Sequence, residues 1–184
     1  MIETRDESDL LAEFKNGNRE AFGALYDRHR RRVFSIAVNY FGGDSERAGD
    51  VVQQVFLKLF RNSAGFRGEA EFTTWLYRVT VNACIDEQRK FGRFFGLEDF
   101  FGLADGRIRH DERFQQMQIS QQVQKAIATL KPEYRSPLVL KYTEGLSYQE
   151  IAEVLEISIG TVSSRLNRGH AMLAKKLAHL RGEV

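Results

Sequence analysis

Between Gly145 and Arg168 the sequence carries two helix starts eleven residues apart, a spacing that leaves room for one short helix, a tight bend and a second helix. Ser147 and Glu150 form a Ser-x-x-Glu capping box, in which each side chain can satisfy a free backbone N–H at the helix start. Leu146 and Ile151 flank that cap as a hydrophobic staple, and Ile151, Ala152 and Leu155 recur on one helical face. Ser158 is placed to cap the next helix, with Ile159, Val162 and Leu166 as its inward stripe and Thr161, Ser164, Arg165 and Arg168 on the other side. Glu156 falls at the bend, where a left-handed backbone costs a residue other than glycine about 1 kcal/mol. The pattern predicts a helix-turn-helix whose second helix suits a major groove. Helix pairs with a basic face also serve protein contacts. From Ser158 to Arg181, however, there are five Lys or Arg and no Asp or Glu, a bias that favours a polyanion.

The rest of the chain also has helical periodicity, and no useful stretch alternates with a period of two. Leu10, Leu11 and Phe14 predict a short helix from Asp9 to about Asn16. Phe22, Leu25, Tyr26, Val33, Ile36, Ala37 and Tyr40 predict a longer one, stopped at Phe41-Gly42-Gly43-Asp44. A helix from Ser45 is expected to bury Val51, Val52, Val55, Phe56, Leu59 and Phe60. After a loop at Gly65–Gly68, Glu71 to Lys90 reads as one helix with Trp75, Leu76, Val79, Ala83 and Cys84 inside. Periodicity then fails from Phe91 to Arg113, where glycine recurs and five phenylalanines fall. That stretch reads as a linker. Its aromatic residues either cover a core edge or dock on a partner. A helix with Met117, Val123, Ile127 and Leu130 opens the second unit. Pro132 suits the first turn of the next helix, and Pro137 predicts a kink or a displaced start. Leu138, Val139, Leu140 and Tyr142 are expected to bury this helix against the helix-turn-helix, forming a core thin enough to lean on a partner. The expected fold is therefore all-α: two small helical domains, 1–90 and 114–184, joined by a flexible linker, 91–113.

At 184 residues with 42% hydrophobic and 28% charged side chains, the composition is that of a globular chain. No run approaches membrane-span length and the first residues are not a signal peptide, so the expected compartment is the cytoplasm, with no membrane insertion. Cys84 is the sole cysteine, which excludes an internal disulfide and a thiolate cluster. Its neighbours make it a buried hydrophobe before a redox sensor. His29, His110, His170 and His179 do not cluster at ligand spacing, and no phosphate loop or nucleophile motif is present. No enzyme, metal or cofactor is expected.

Two surfaces in the first unit bear on function. The helix from Ser45 presents Asp50, Gln53, Gln54 and Lys58 opposite its valines, which reads first as an ordinary wet face. On the next helix Arg78, Asn82 and Asp86 recur every four residues, followed by Arg89 and Lys90, a pattern that can simply stabilise a helix. Basic groups beside Phe66, Arg67, Phe72 and Trp75 also describe a platform for unpaired bases, although Trp75 shares the spacing of the core residues Leu76 and Val79.

Three blocks carry a family resemblance. Phe72-Thr-Thr-Trp-Leu-Tyr-Arg-Val-Thr-Val-Asn82-Ala-Cys-Ile-Asp86-Glu-Gln-Arg89 resembles the promoter-melting segment of bacterial extracytoplasmic-function (ECF) sigma factors of the sigma-70 family. Asp50-Val-Val-Gln-Gln-Val-Phe-Leu-Lys-Leu-Phe60 resembles the helix with which they grip the polymerase clamp. Leu130-Lys-Pro-Glu-Tyr-Arg, Gly145-Leu-Ser-Tyr-Gln-Glu-Ile-Ala and Gly160-Thr-Val-Ser-Ser-Arg-Leu resemble their C-terminal domain. The resemblance implies a transcription initiation factor of the stress-response type that binds core RNA polymerase, at the clamp and flap of the large subunits, and reads two promoter elements. Asp50, Gln53, Gln54, Leu57 and Lys58 would contact polymerase. Phe66, Arg67, Phe72, Trp75, Arg78, Asn82, Arg89 and Lys90 would capture the non-template strand of the −10 element, where stacking is worth about 1–3 kcal/mol per base. Tyr148, Ser158, Thr161, Ser163, Ser164, Arg165 and Arg168 would read the −35 duplex. The linker would thread the polymerase near its active centre, and an anti-sigma factor is an implied partner.

Several residues depart from the family pattern. Gly49 and Gln54 stand where Glu is frequent, Ser163 where Lys or Arg is common, and Glu156 replaces the usual turn glycine. A duplex-binding regulator that works without polymerase would account for Ser147–Arg168 but not for Trp75–Arg89 or the linker. An adaptor that uses its helix faces for proteins would suit the apolar linker.

Overall fold

The computed structural model describes residues 5–61, 71–94 and 112–178. Among them are eight helices and no strand: α1 (Glu7–Lys15), α2 (Arg19–Tyr40), α3 (Ser45–Arg61), α4 (Phe72–Phe94), α5 (Glu112–Ala128), α6 (Pro132–Glu144), α7 (Tyr148–Leu155) and α8 (Ile159–Lys176). The 65–68 loop and most of the expected linker lie outside the described residues.

Polar caps set most helix starts. Asp6 accepts from the Glu7 N–H at 2.8 Å, Asn18 from Glu20 and Ala21, and Asp44 from Arg47. The reciprocal box of α7 is complete, with Ser147 Oγ accepting from the Glu150 N–H at 3.2 Å and Glu150 Oε2 accepting from the Ser147 N–H at 2.7 Å. Ser158 Oγ accepts from the Thr161 N–H at 3.1 Å to start α8. Pro132 occupies the first turn of α6, where its missing donor has no helical partner to lose, and Gly145 ends that helix at φ 71°.

Of the two expectations at Pro137, α6 shows no displaced start: the helix begins at Pro132 and runs to Glu144 with this proline inside it. Pro137 is buried, as are Arg135 to Leu140 around it, so packing on every side of the helix outweighs the lost backbone bond. Three residues assigned inward by periodicity lie outside. Phe60 is 45% exposed at the last turn of α3, Ile159 is 47% exposed in the first turn of α8, and Tyr142 is 65% exposed where α6 runs past its packed segment. Helical spacing predicts a face; it does not predict where neighbouring helices stop covering that face.

A single apolar cluster runs from Leu10 to Leu166 through both halves of the chain. Within the N-terminal half α2 packs against α1, α3 and α4; within the C-terminal half α8 packs against α5, α6 and α7. The halves meet where α2 lies against α5 and α6 and where α4 lies against α7. The thin second core does lean on a partner, and that partner is the first half. At the end of α2 the approach is close: a Cβ on Gly42 would stand 2.9 Å from the Cβ of Ala128 in α5, and φ there is +69°. Glycine satisfies both demands.

Polar groups line the same seam. Buried Arg135 donates from Nε and Nη2 to the Leu130 carbonyl at 3.1 and 2.6 Å, and from Nη1 to the Tyr40 carbonyl at 3.4 Å and to Gln88 Oε1 at 3.2 Å. Its guanidinium also lies over the Tyr40 ring, 4.6 Å from the centroid. Burial pushes the Tyr40 hydroxyl up to about 12. Glu144 at the end of α6 accepts from Tyr77 of α4 at 2.9 Å and pairs with Arg32 of α2 at 3.0 Å, while burial raises its carboxyl above the ordinary value. Gln124 of α5 donates to Asn39 of α2 at 2.8 Å.

Two measurements test this packing. Ile151→Ala, at a fully buried position of α7, should cost about 2–5 kcal/mol in chemical denaturation. His29 is buried, with Nε2 2.7 Å from Glu7 Oε1, and burial lowers its pKa despite that carboxylate. The unfolded chain therefore takes up the proton first, so this contribution to stability is present above the ordinary imidazole value of 6.5 and is lost as pH falls through the lowered folded value. NMR titration of the His29 ring should give a midpoint below 6.5; a midpoint at or above it contradicts the burial account.

Candidate nucleic-acid interface

α7 and α8 meet through a bend at Glu156, whose φ of 55° is the left-handed value expected there, and Ile151, Val154, Val162 and Leu166 lock the pair to α6. This fixes the outer side of α8. Ser164 and Arg168 are exposed; Thr161, Ser163 and Arg165 are half-buried. The Ser158 hydroxyl is occupied in the cap and lies 2.8 Å from the Thr161 hydroxyl, so it shapes the start of α8 as well as bordering the surface. Ser164 donates back to the Thr161 carbonyl at 3.0 Å. Tyr148 is 38% exposed at the start of α7, with the Lys141 ammonium 5.7 Å from its ring centroid. The N-terminal end of α8, with its unpaired backbone donors, adds a local positive potential suited to phosphate.

The α4 surface differs from its sequence reading. Phe66 and Arg67 lie outside the described residues. Phe72 is 4% exposed, stacked on Trp75 at 5.8 Å and edge-on to His29 at 5.2 Å, so it supports the surface from below and is no open platform for a base. Trp75 is half-buried against the core. Asn82, Arg89 and Lys90 are exposed, with Arg89 3.7 Å from Asp86 and Lys90 3.5 Å from Glu87. Arg78 reaches across to the end of α7. Its Nη1 lies 2.8 Å from Glu156 Oε1, and Nε and Nη2 donate to the Val154 and Glu153 carbonyls at 3.2 and 2.8 Å. Arg78, Asn82, Arg89 and Arg165 consequently line one cleft of about 300 Å³ between the halves.

On α3, Asp50, Gln53, Leu57 and Lys58 are exposed, while Gln54 is half-buried and donates to Glu87 of α4 at 2.9 Å. Leu57 borders an apolar groove with Phe22, Tyr26, Phe56 and Phe60, which the sequence reading did not single out. The signal was present as two aromatic i,i+4 pairs, Phe22/Tyr26 and Phe56/Phe60, on neighbouring helices.

Comparison with known proteins identifies the family. The Sigma-70 region 2 model matches residues 25–94 and the Sigma-70, region 4 model matches residues 120–173. The ECF RNA polymerase sigma factor SigW of Bacillus subtilis is 31% identical over 92% of this chain and 96% of its own length. The chain belongs to the ECF RNA polymerase sigma factors. SigM of Mycobacterium tuberculosis, another such factor, is 35% identical over 96% of this chain and 87% of its own. Among solved structures, CnrH in complex with the cytosolic domain of CnrY superposes with a TM-score of 0.65 at 26% identity, covering 92% of this chain and 96% of that one. The sigma factor RpoE in complex with the anti-sigma factor NepR from Bartonella quintana shares the fold, with a TM-score of 0.63 at 22% identity over 85% of this chain and 96% of that chain. The region 2 match ends at Phe94, where α4 ends.

As a sigma factor the protein is a transcription initiation factor. Among the described residues no group of His, Cys, Asp and Glu could hold a metal ion, and no helix is long and apolar enough to cross a membrane. Cys84 is fully buried and burial raises its thiol pKa well above the ordinary value, which holds it in the unreactive protonated form. A thiol reagent should label the native protein only at the rate of unfolding; rapid stoichiometric labelling contradicts this burial.

Proposed function

We propose that this sigma factor binds core RNA polymerase, directs it to promoters by reading −10 and −35 elements, and promotes DNA melting. The observation that carries the reading is the outer side of α8: a capped helix end beside exposed Ser164 and Arg168, fixed by a packed α6–α7–α8 unit that the region 4 model matches. Domains of 1–90 and 114–184, with a linker of 91–113, divide the work. In the C-terminal domain Arg165 and Arg168 contact bases or phosphates, Thr161, Ser163 and Ser164 set register, and Tyr148 and Ser158 border the duplex.

In the N-terminal domain Asn82, Arg78, Arg89 and Lys90 form the basic track for the non-template strand. Trp75, backed by Phe72, supports the captured bases, and Phe66 and Arg67 precede it. Stabilised single strand is what melting requires, because each captured base must offset its lost stacking and pairing. Polymerase binding falls to Asp50, Gln53, Leu57 and Lys58 on α3, with the aromatic groove beside Leu57 supplying apolar area. Gln54 is held by Glu87 and reaches polymerase only by releasing that bond. Clamp and flap are the expected docking points, an anti-sigma factor the expected inhibitor, and the cytoplasm the expected compartment.

Run-off transcription from a library of promoter fragments, with core polymerase with and without this protein, tests the reading. Start sites that depend on the protein support it, and their alignment gives the promoter sequence. Arg165→Ala should reduce initiation at those promoters by an amount equivalent to about 1–3 kcal/mol if the guanidinium reads a base edge. Dependent starts that never appear, with the free protein binding the same fragments, would make it a duplex-binding regulator instead.

A further inference from the structure

α2 carries a histidine where its pattern calls for an apolar side chain. His29 falls one turn after Leu25 and one turn before Val33, both fully buried, and is itself 3% exposed. A buried ring that donates a hydrogen bond needs an acceptor, and α1 supplies it: Glu7 Oε1 lies 2.7 Å from His29 Nε2. Nδ1 has no partner among the described residues, so the geometry assigns the proton of the neutral ring to Nε2, facing the carboxylate. That bond fixes the rotation of the ring. The fixed ring meets Phe72 edge-on, with centroids 5.2 Å apart at 69°. Phe72 opens α4 and stacks on Trp75 in the same turn, at 5.8 Å and 21°. A line of contacts thus runs from α1 through α2 to α4 and ends on the sole tryptophan of the chain.

We propose that Glu7 and His29 are positioning residues of the strand-capturing surface, seating Phe72 and through it the Trp75 ring on which an unpaired base stacks. Trp75 takes that role from the proposed function, and the geometry carries the rest. A ring whose plane is held before the base arrives loses less freedom when the base stacks on it. An apolar side chain at position 29 would fill the same space without fixing the direction of a ring edge. Glu7 is itself held in place. Asp6 caps α1 by accepting from the Glu7 N–H at 2.8 Å, and Arg28 Nη2 of α2 donates to the Arg5 carbonyl at 2.7 Å. Leu10, Leu11 and Phe14 bury the rest of α1, so the helix stays docked when the Glu7 carboxylate is removed.

The pair also makes the seat of Trp75 depend on pH. The charged groups around the ring are Glu7 from α1 and Arg28 and Arg32 from α2, with Arg32 itself paired to Glu144 of α6; α4 presents the uncharged Phe72. Glu7 favours a proton on His29, while burial and the two arginines oppose it. A second proton would put a donor on Nδ1, where no acceptor stands, and a charge into an apolar site. The edge contact with Phe72 therefore loosens only as pH falls below the ordinary imidazole value of 6.5, and the seat of Trp75 loosens with it.

Intrinsic fluorescence reads Trp75 directly, because the chain holds no other tryptophan. In the full chain at neutral pH, Glu7→Ala should shift the Trp75 emission to the red as the backing of its ring loosens. Holoenzyme assembled with this variant should bind a labelled mixed-sequence single-stranded DNA oligonucleotide about three- to tenfold more weakly by fluorescence anisotropy. Glu7→Gln, whose amide oxygen still accepts from Nε2, should recover both emission and affinity. It should also move the acid-induced change in emission to lower pH, because the carboxylate that favours the proton is gone. A lower melting temperature in Glu7→Ala, with emission and strand affinity unchanged, marks a merely structural contact and overturns the proposal. An acid-induced change that Glu7→Gln leaves in place overturns it too. Shifted emission in Glu7→Ala, when the wild-type holoenzyme binds no single strand, keeps the positioning and rejects the role that the proposed function assigns to the ring.

Discussion

Arg135 sits at the seam between the halves, and its guanidinium is shared between the Leu130 carbonyl on its own side and the Tyr40 carbonyl and Gln88 on the other. Burying a cation is costly unless its donors are satisfied, and here the carbonyls, the amide and the Tyr40 ring satisfy them together. Removal of the side chain would strand those acceptors in an apolar seam, at a cost larger than one surface contact carries. The thin C-terminal core therefore gains much of its order from α2. The orientation of α7 and α8 follows from how α6 is seated on α2.

The contacts between the halves use side chains that the proposed function assigns to DNA. Arg78 is held by the end of α7, and Arg165 of α8 lines the same cleft. The strain at Glu156, about 1 kcal/mol by the usual cost of a left-handed residue, is of the same order as one exposed ion pair can return. The pair is weak alone, and Glu144, Arg135 and Gln124 add contacts across the same seam.

Local chemistry made most of the helices legible. The capping box at Ser147, the Ser158 cap, the Asn16-Gly17-Asn18 break and Pro132 all act within a few residues of themselves, so sequence alone locates them. What sequence could not supply was the relation between distant elements. Phe72 read as exposed because nothing nearby reveals that His29, forty-three residues earlier, covers it. Arg78 read as one member of an i,i+4 series because its partners lie more than seventy residues away. Phe60, Tyr142 and Ile159 fall on apolar stripes that outrun their covering helices. Glu156 was visible as an anomaly in a known turn, and only its contact with Arg78 gives that anomaly a reason.

The central claim, that the free chain is one closed body, is tested most directly by small-angle X-ray scattering from the isolated protein. The account predicts a single compact particle, with a radius of gyration near the roughly 16 Å expected for a packed chain of this length. A much larger radius, with two resolved maxima in the pair-distance distribution, would mean that the halves are separate in solution and that the seam does not hold them.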